Sequence, residues 1–234
     1  MNKERFILEL EKLGIDVDNV KLERLALFYK LLVEWNEKIN LTTIVLEEEV
    51  YLKHFYDSLT LFKCIDLKGD LSLCDVGSGA GFPGIVLKIF FPNLKITLVD
   101  SLNKRVNYLN TIISSLELDG IRAVHCRMED FSRLHEEEFD IITARAVANL
   151  SVLSEISVRA LKIGGMLVFM KANCDEELAN FGNVCSKLSL SVEAIHRFLL
   201  PIENSNRTLI CIKKNGKTNV KFPRTIDKIK RNSL

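Results

Sequence analysis

Residues 71–84 read Leu71-Ser72-Leu73-Cys74-Asp75-Val76-Gly77-Ser78-Gly79-Ala80-Gly81-Phe82-Pro83-Gly84, and this stretch decides the fold. A short apolar run comes first, four glycines follow within eight residues, and apolar residues at helical spacing come after Pro83. Proline suits the first turn of a helix because its missing N–H is not needed there. The stretch therefore predicts a strand, a glycine turn and a helix, which is the first half of a βαβ unit.

The glycine turn suits a nucleotide-like cofactor. Glycine adopts positive φ and lets a ligand lie against the main chain, and the following helix N-terminus offers free N–H groups. A second predicted strand, residues 95–99, ends on Asp100, whose carboxylate can accept hydrogen bonds from ribose hydroxyls. The dinucleotide fingerprint G-x-G-x-x-G fails because Phe82 stands where the third glycine belongs. On the glycines alone, an ordinary loop remains an alternative.

The length and composition favour one globular domain of the size typical of a doubly wound α/β fold, with an extension. The chain has 234 residues, 47% of them hydrophobic and 27% charged, and its net charge of +1 means that any basic surface must be local. The six cysteines form no C-x-x-C pair, which predicts reduced thiols and no metal site. We expect no signal peptide and no membrane span, and hence a cytoplasmic protein.

Residues 1–66 predict a helical N-terminal extension packed on the core. Apolar side chains recur at helix spacing from Leu25 to Ile39, the helix should end near residues 40–43, and a further helix should cover about residues 47–64. His54 and Asp57 are three residues apart in that helix and share one face. They either point at the mouth of a cofactor site or only pair structurally, and their spacing leaves both open.

Residues 67–214 predict the core, in which strands and helices alternate. Helices are expected at about 103–116, 150–161 and 176–188, and strands at about 121–125, 139–144, 166–170, 192–198 and 207–213, the last two as a hairpin. Together with the two strands beside the glycine turn, this makes seven. Seven strands closing on a hairpin are typical of the methyltransferase variant of the doubly wound sheet.

Two strand ends of this core carry further candidates. The turn after the third strand contains Met128 and Glu129, which can meet an adenine ring and its amine, although a plain surface turn is the alternative. Arg145 ends the fourth strand, where a guanidinium can bind a carboxylate or phosphate or pair with Asp75. Residues 215–234 form a basic tail, which either binds nucleic acid or is solvated and partly disordered.

Taken together, these motifs resemble one family over nearly the whole chain, the RsmG (GidB) methyltransferases. The matching segments are residues 40–42, 53–59, 75–84, 99–105 and 144–148. The glycine motif matches without exception, whereas Lys53 replaces an arginine and Ala172 replaces a glycine. After residues 222–224 the tail departs from the family pattern, with Asp227, Ile229 and Ser233 where glycine and two prolines are usual.

The resemblance implies a class I S-adenosylmethionine-dependent methyltransferase with a Rossmann-like, mostly parallel seven-stranded sheet. Its expected substrate is 16S ribosomal RNA, free or in the small ribosomal subunit, and the methyl group is expected on N7 of a guanine. Cofactor contacts are implied for Gly77, Ser78, Gly79, Phe82, Asp100, Met128, Glu129 and Arg145. RNA contacts are implied for His54, Asp57, Lys171, Arg197 and Arg207.

The chemistry of guanine N7 sets expectations for catalysis. N7 carries a lone pair and no proton, so we expect positioning and no general base among the residues. The methylated guanine is cationic, and Asp57 could therefore stabilise it.

Three alternatives are weighed against this prediction. A nicotinamide-dependent oxidoreductase predicts G-x-G-x-x-G and, in the short-chain type, Tyr-x-x-x-Lys, and the chain has neither. A ribosome-assembly factor that binds the cofactor without catalysis is disfavoured by the intact glycine motif. A methyltransferase of the same fold acting on another RNA site stays open, including transfer to a ribose 2′-oxygen.

Overall fold

The computed structural model describes all 234 residues and contains one seven-stranded sheet. The strands are β1 (Ser72–Val76), β2 (Lys95–Asp100), β3 (Ile121–His125), β4 (Phe139–Arg145), β5 (Leu161–Lys171), β6 (Leu190–Leu199) and β7 (Asn206–Lys214). They are hydrogen-bonded in the order β3-β2-β1-β4-β5-β7-β6, with β7 antiparallel to both neighbours and all other pairs parallel. The predicted fold class is confirmed.

Helices cover both faces of this sheet. They are α1 (Lys3–Lys12), α2 (Asn19–Ile39), α3 (Glu47–Val50), α4 (Asp57–Leu59), α5 (Gly84–Phe90), α6 (Asn103–Ser115), α7 (Met128–Leu134), α8 (Leu150–Ser157), α9 (Asp175–Ala179), α10 (Phe181–Leu188) and α11 (Ile226–Arg231). A π-helical segment, Tyr51–Tyr56, joins α3 to α4, and a 3₁₀ turn, Thr60–Lys63, follows α4. No helix combines the length and apolar character needed to cross a membrane.

Local side chains set the end of α2. Asn40 adopts the left-handed conformation (φ 50°) and stops the helix. The Asn36 side-chain oxygen then accepts hydrogen bonds from the backbone N–H groups of Leu41 (2.7 Å) and Thr42 (2.8 Å). The helix therefore ends where the sequence predicts, and the segment beyond it is held in a defined position.

Two helices differ from the predicted bounds. The helix expected over residues 150–161 ends at Ser157, because residues 158–160 form a turn and β5 already begins at Leu161. The register between β4 and β5 shifts over residues 162–165, where Gly164 has φ +83°. The helix expected over residues 176–188 breaks at Asn180 into α9 and α10, because the backbone of Asn180 (φ −105°, ψ 4°) leaves the helical conformation.

Each face of the sheet has its own apolar core, and each terminal segment belongs to one of them. On one face, α2 buries Phe28, which packs 5.2 Å from the Phe82 ring of the glycine turn. On the other face, the tail buries Phe222 and Ile229 among the residues of α8 and α10. The glycine turn and the ends of the parallel strands lie between these two packed segments.

Candidate active site

The glycine turn after β1 requires glycine for two different reasons. Gly77 has φ +67°, and a Cβ there would lie 2.8 Å from Val147 Cγ2. At Gly84, a Cβ would lie 2.3 Å from Leu98 Cδ2 and 2.8 Å from Asp75 Oδ2. Real Cβ atoms do not approach so closely, so a side chain at either position would force its neighbours to move.

Two buried carboxylates brace the turn. Asp75 Oδ2 accepts a hydrogen bond from the Gly84 N–H (2.9 Å), while its Oδ1 is buried with no hydrogen-bond partner. Burial raises the pKa of Asp75 to about 7. Asp100 accepts from the N–H groups of Gly79 and Leu102, both at 2.9 Å. The carboxylates at the ends of β1 and β2 therefore fix the turn from both sides.

A small cavity of about 130 Å³ opens beside the turn. Three predicted cofactor residues, Gly77, Met128 and Glu129, line it. Its other walls are Val76, Val99, Ser101, Cys126, Arg127, Val147 and Ile156. Apolar walls with a carboxylate at one side suit a flat ring that carries a polar group at its edge.

A larger cavity of about 460 Å³ collects most of the predicted RNA residues. His54, Asp57, Lys171 and Arg207 line it, together with Arg145. The remaining walls are Ile44, Lys53, Ala146, Leu153, Met170, Ala172 and Asn173. The structure thus brings together side chains that are up to about 150 positions apart in the chain.

His54 is a neutral, buried imidazole. Its Nδ1 lies 3.1 Å from Arg145 Nη2, which can only donate, and 3.1 Å from the Lys53 carbonyl oxygen, which can only accept. Its Nε2 lies 3.0 Å from Thr42 Oγ1, a hydroxyl that can donate or accept. Burial, reinforced by the charge of Arg145, lowers the pKa of His54 to about 3. Both ring nitrogens of His54 are engaged, and the ring is uncharged at neutral pH.

Asp57 holds two guanidiniums. Its Oδ2 lies 3.4 Å from Arg145 Nη1 and its Oδ1 lies 3.1 Å from Arg207 Nε. Arg145 Nη1 also donates to the Lys53 carbonyl at 2.9 Å. Burial raises the pKa of Asp57, and the two guanidiniums oppose this rise. The negative charge of Asp57 is thus shared between two cations.

Phe82 and Ser78 connect the glycine turn to its surroundings and line neither cavity. The Phe82 ring stacks on His54 (centroids 4.4 Å apart, planes at 24°), and the Arg145 guanidinium carbon lies 5.1 Å from its centroid. Ser78 Oγ donates to the Asp75 carbonyl at 2.9 Å. Phe82 is only 4% exposed, so its place in the structure is as a support beneath His54 and Arg145.

The two remaining RNA candidates, Lys171 and Arg197, are both paired with acids. Lys171 Nζ contacts both carboxylate oxygens of Glu177 at 2.8 Å and donates to the Ala148 carbonyl at 2.9 Å. Arg197 Nη2 contacts Asp175 at 2.7 Å, and its side chain is 56% exposed. Arg197 and Arg207 line a second cavity of about 360 Å³, which shares Ala172, Asn173 and Arg207 with the larger one. The two cavities form one groove.

Comparison with known proteins identifies the chain. A family model described as rRNA small subunit methyltransferase G (GidB) matches residues 21–208. The chain belongs to this family. It is 48% identical over 227 residues to the ribosomal RNA small subunit methyltransferase G of Bacillus licheniformis, covering 96% of this chain and 95% of that one. The corresponding protein of Staphylococcus carnosus is 47% identical over 230 residues, with the same coverage.

Solved structures agree on the fold. A SAM dependent methyltransferase from Aquifex aeolicus is similar with a TM-score of 0.53 and 18% identity, over 72% of this chain and 93% of that one. At this identity the likeness concerns the fold alone. The predictions of the family, of the class I fold and of an S-adenosylmethionine-dependent rRNA methyltransferase are confirmed.

The residues around the turn fit S-adenosylmethionine, the cofactor of this enzyme class. The backbone at Gly77 lies open only because the residue has no Cβ, and the buried Oδ1 of Asp75 has no partner within the protein. The small cavity beside them offers apolar walls and the Glu129 carboxylate. These features match a ligand with a flat apolar ring and hydrogen-bond donors.

Two residues of this site were not predicted individually. Thr42 Oγ1 lies 3.0 Å from His54 Nε2 and also accepts a hydrogen bond from the Ile44 N–H (3.1 Å). Lys53 contacts Glu49 and Glu203 at 2.9 Å each, which joins the helical segment to the loop between β6 and β7. Both residues lie within motif segments that carry the family resemblance, and that was the available signal.

Proposed function

We propose that this enzyme methylates N7 of a guanine in 16S ribosomal RNA, presented as free RNA or within the small ribosomal subunit, and that it works in the cytoplasm. The observation that carries the choice of atom is that no free base faces the larger cavity. Both nitrogens of His54 and both oxygens of Asp57 are engaged, and Lys171 is paired with Glu177. An acceptor with a lone pair and no proton needs no base.

The same observation disfavours the competing acceptors. A ribose 2′-hydroxyl or an exocyclic amine must lose a proton during methyl transfer, and a positioned base speeds that loss. The low pKa of His54 and the internal contacts of both its nitrogens leave it unfit for this task. The site therefore supports a reaction that depends on positioning.

We assign the cofactor to the small cavity and the adjoining turn. When bound, S-adenosylmethionine supplies an electrophilic methyl group on its sulfonium. Gly77, Met128 and Glu129 would hold the adenine side, and Asp100, at the end of β2, would lie near the ribose. Arg145, which was predicted for the cofactor, lines the larger cavity instead, two residues before Val147 of the small one. We propose that it borders both ligands.

We assign the guanine to the larger cavity. The Arg145 and Arg207 guanidiniums line it, and their N–H groups can donate to an acceptor such as guanine O6. A donor on O6 orients the base while N7 stays free. Asp57 and His54 fix the guanidiniums, so the base meets a rigid set of donors. Such positioning can supply a large part of the rate acceleration.

We propose that the RNA backbone lies along the second cavity, which is the outer part of the groove and is called the outer groove below. Arg197 is exposed there, and its partner Asp175 is exposed as well, so phosphate can replace the carboxylate at little cost. Lys171 is held by two acceptors and is less free to move. RNA affinity should therefore fall with salt, and Arg197→Gln should reduce the steepness of that fall while Lys171→Gln should change it less.

Labelled methyl transfer tests the proposed function. The enzyme is incubated with labelled S-adenosylmethionine and either small ribosomal subunits or their stripped RNA, and the product is treated with borohydride and aniline, which cut at N7-methylguanine. We expect one new cut in 16S RNA. The Gly77→Ala variant serves as the matched control and should give a weaker cut at low cofactor concentration, because its Cβ would meet Val147.

Two outcomes would contradict the proposal, and a third would refine it. Label without a cut would move the methyl group to another atom. Cofactor binding in a titration, without label on either substrate, would favour an assembly factor or an RNA other than 16S. A cut in free RNA alone, or in subunits alone, would decide which form is the substrate.

A further inference from the structure

A second cluster of chemically active side chains lies away from the cleft. The Sγ atoms of Cys64 and Cys211 and a ring nitrogen of His196 all lie within 4.8 Å of one another. Cys211 is buried, and the other two residues are half-buried. The sequence predicts no metal site because its cysteines form no C-x-x-C pair, but the fold brings these three residues together from distant positions.

The sheet register explains the convergence. Ala194 of β6 is paired with Cys211 of β7, and His196 is paired with Leu209. Residues two apart on a strand share a face, so His196 lies diagonally across from Cys211 on the same face. Cys64 directly follows the 3₁₀ turn that ends at Lys63, whose Nζ lies 5.2 Å from the ring centroid of Phe198 on that face. Three separate segments thus deliver one donor each.

The spacing of the donors is close to what a tetrahedral ion needs. Zinc binds sulfur at about 2.3 Å and imidazole nitrogen at about 2.0 Å, which places two sulfur ligands roughly 3.8 Å apart. The observed donors, which lie within 4.8 Å of one another, need to contract by no more than about 1.3 Å to reach this arrangement. Because Cys64 and His196 are half-buried, water can reach the fourth position.

The donor set selects the type of metal. Two thiolates and one imidazole suit zinc and similar borderline-soft ions, whereas magnesium and calcium require oxygen ligands. We propose that Cys64, His196 and Cys211 bind one zinc ion per chain, with water as the fourth ligand. Both thiols give up their protons to solvent on binding, so the affinity rises with pH.

The bound ion would tie the end of the N-terminal helical segment to the β6–β7 hairpin. That hairpin carries Arg197 and Arg207, the two arginines of the outer groove. Zinc therefore stabilises the position of the groove relative to the helices that hold His54 and Asp57. This site is independent of the proposed function, because none of its three donors lines either part of the groove.

Cobalt titration tests the site directly. The full-length protein is reduced, freed of metal with a chelator and titrated with Co²⁺. We expect a thiolate-to-cobalt charge-transfer band and intense tetrahedral d–d bands that saturate at one cobalt per chain and are displaced by one zinc. His196→Gln should weaken binding, and the Cys64→Ser/Cys211→Ser double variant should abolish the bands. The control variant Cys126→Ser/Cys185→Ser should keep them.

A second measurement covers the case in which the double variant folds poorly. Zinc at roughly 100 times its Kd should raise the Tm of the wild-type protein by about 5–10 °C. The Cys126→Ser/Cys185→Ser control should show the same rise. A reduced wild-type protein without charge-transfer bands, or bands that persist in the Cys64→Ser/Cys211→Ser variant, would overturn the proposal. So would a Cys64–Cys211 disulfide whose reduction gives no cobalt binding.

Discussion

Asp57 pairs with two mostly buried arginines, so removing its charge should lower the folding stability by an amount that can be worked out from the structure. Asp57→Asn keeps the shape of the side chain and removes its charge. Arg145 and Arg207 would then lie in the protein without a carboxylate, since Asp57 is their only ion-pair partner. We expect a large loss of folding stability, because both guanidiniums are mostly buried.

The size of the loss follows from the distances. Two unit charges about 4 Å apart attract by about 4 kcal/mol at the effective dielectric constant typical of proteins. Desolvation offsets much of this attraction while the pair is intact, but removing one partner of a buried pair costs roughly 3–5 kcal/mol. The amide oxygen that Asp57→Asn introduces would still accept a hydrogen bond from one guanidinium, so we expect the lower end, about 3 kcal/mol.

Urea denaturation of Asp57→Asn, followed by circular dichroism, measures this difference. Asp175→Asn is the matched control, because Asp175 also pairs with an arginine but both side chains are more than half exposed, and it should cost less than about 1 kcal/mol. Adding Arg207→Gln to Asp57→Asn should cost less than the sum of the two single changes. Equal losses for Asp57→Asn and Asp175→Asn would refute the reasoning.

The same variant bears on the reaction. The sequence suggests that Asp57 stabilises the cationic product, whereas the structure balances its charge with two guanidiniums. If folded Asp57→Asn transfers methyl groups as fast as the wild-type protein, product stabilisation by Asp57 is wrong.

Three further predictions concern pH, the turn and the tail. Burial lowers the pKa of His54 to about 3 and raises the pKa of Asp75 to about 7. Relative to the wild-type protein, His54→Gln should therefore gain stability as pH falls from about 6.5, and Asp75→Asn should gain stability as pH rises from about 4 to 7. In urea denaturation each stability difference should change by about 1.4 kcal/mol per pH unit, and two flat difference curves would contradict this. Gly77→Ala should weaken S-adenosylmethionine binding at least about tenfold in a calorimetric titration. Adding Val147→Ala should restore part of the affinity, because it removes the 2.8 Å contact. A double variant with the same Kd as Gly77→Ala alone would exclude that contact as the cause. Arg224→Met should cost roughly 3–5 kcal/mol of folding stability, because Glu155, which is 1% exposed and contacted by the Arg224 guanidinium at 2.6 and 2.7 Å, loses its ion-pair partner. Arg231 is exposed, so the control Arg231→Met should change the stability by less than about 0.5 kcal/mol. Equal effects of the two variants in thermal melts would show that the Arg224–Glu155 pair is dispensable.

The features that depend on short stretches of chain could be predicted from the sequence. The strand, turn and helix around Gly77 follow from local backbone requirements, because only glycine tolerates both the positive φ and the contact with Val147. The position of Asp100 at the end of β2 follows from the strand spacing in the same way. The family motifs then defined the enzyme class, since they combine many such local requirements in one order.

The tertiary structure decided which side chains meet. From the sequence, His54 and Asp57 could either face the cofactor or only pair structurally, and the fold shows that they hold Arg145 and Arg207. It also packs the end of the tail, where Phe222 and Ile229 are buried, although its composition alone also allowed a disordered segment. Such contacts join residues from distant segments, so they depend on which faces the sheet and helices bring together.

The cysteines show this division most clearly. The sequence alone determined that no local metal motif exists, because spacing within a short segment can be read directly. Only the antiparallel register of β6 and β7, with the 3₁₀ turn packed over it, places Cys64, His196 and Cys211 within 4.8 Å of one another. Register is set by the burial of whole strand faces, and that is a property of the folded chain and of no single motif.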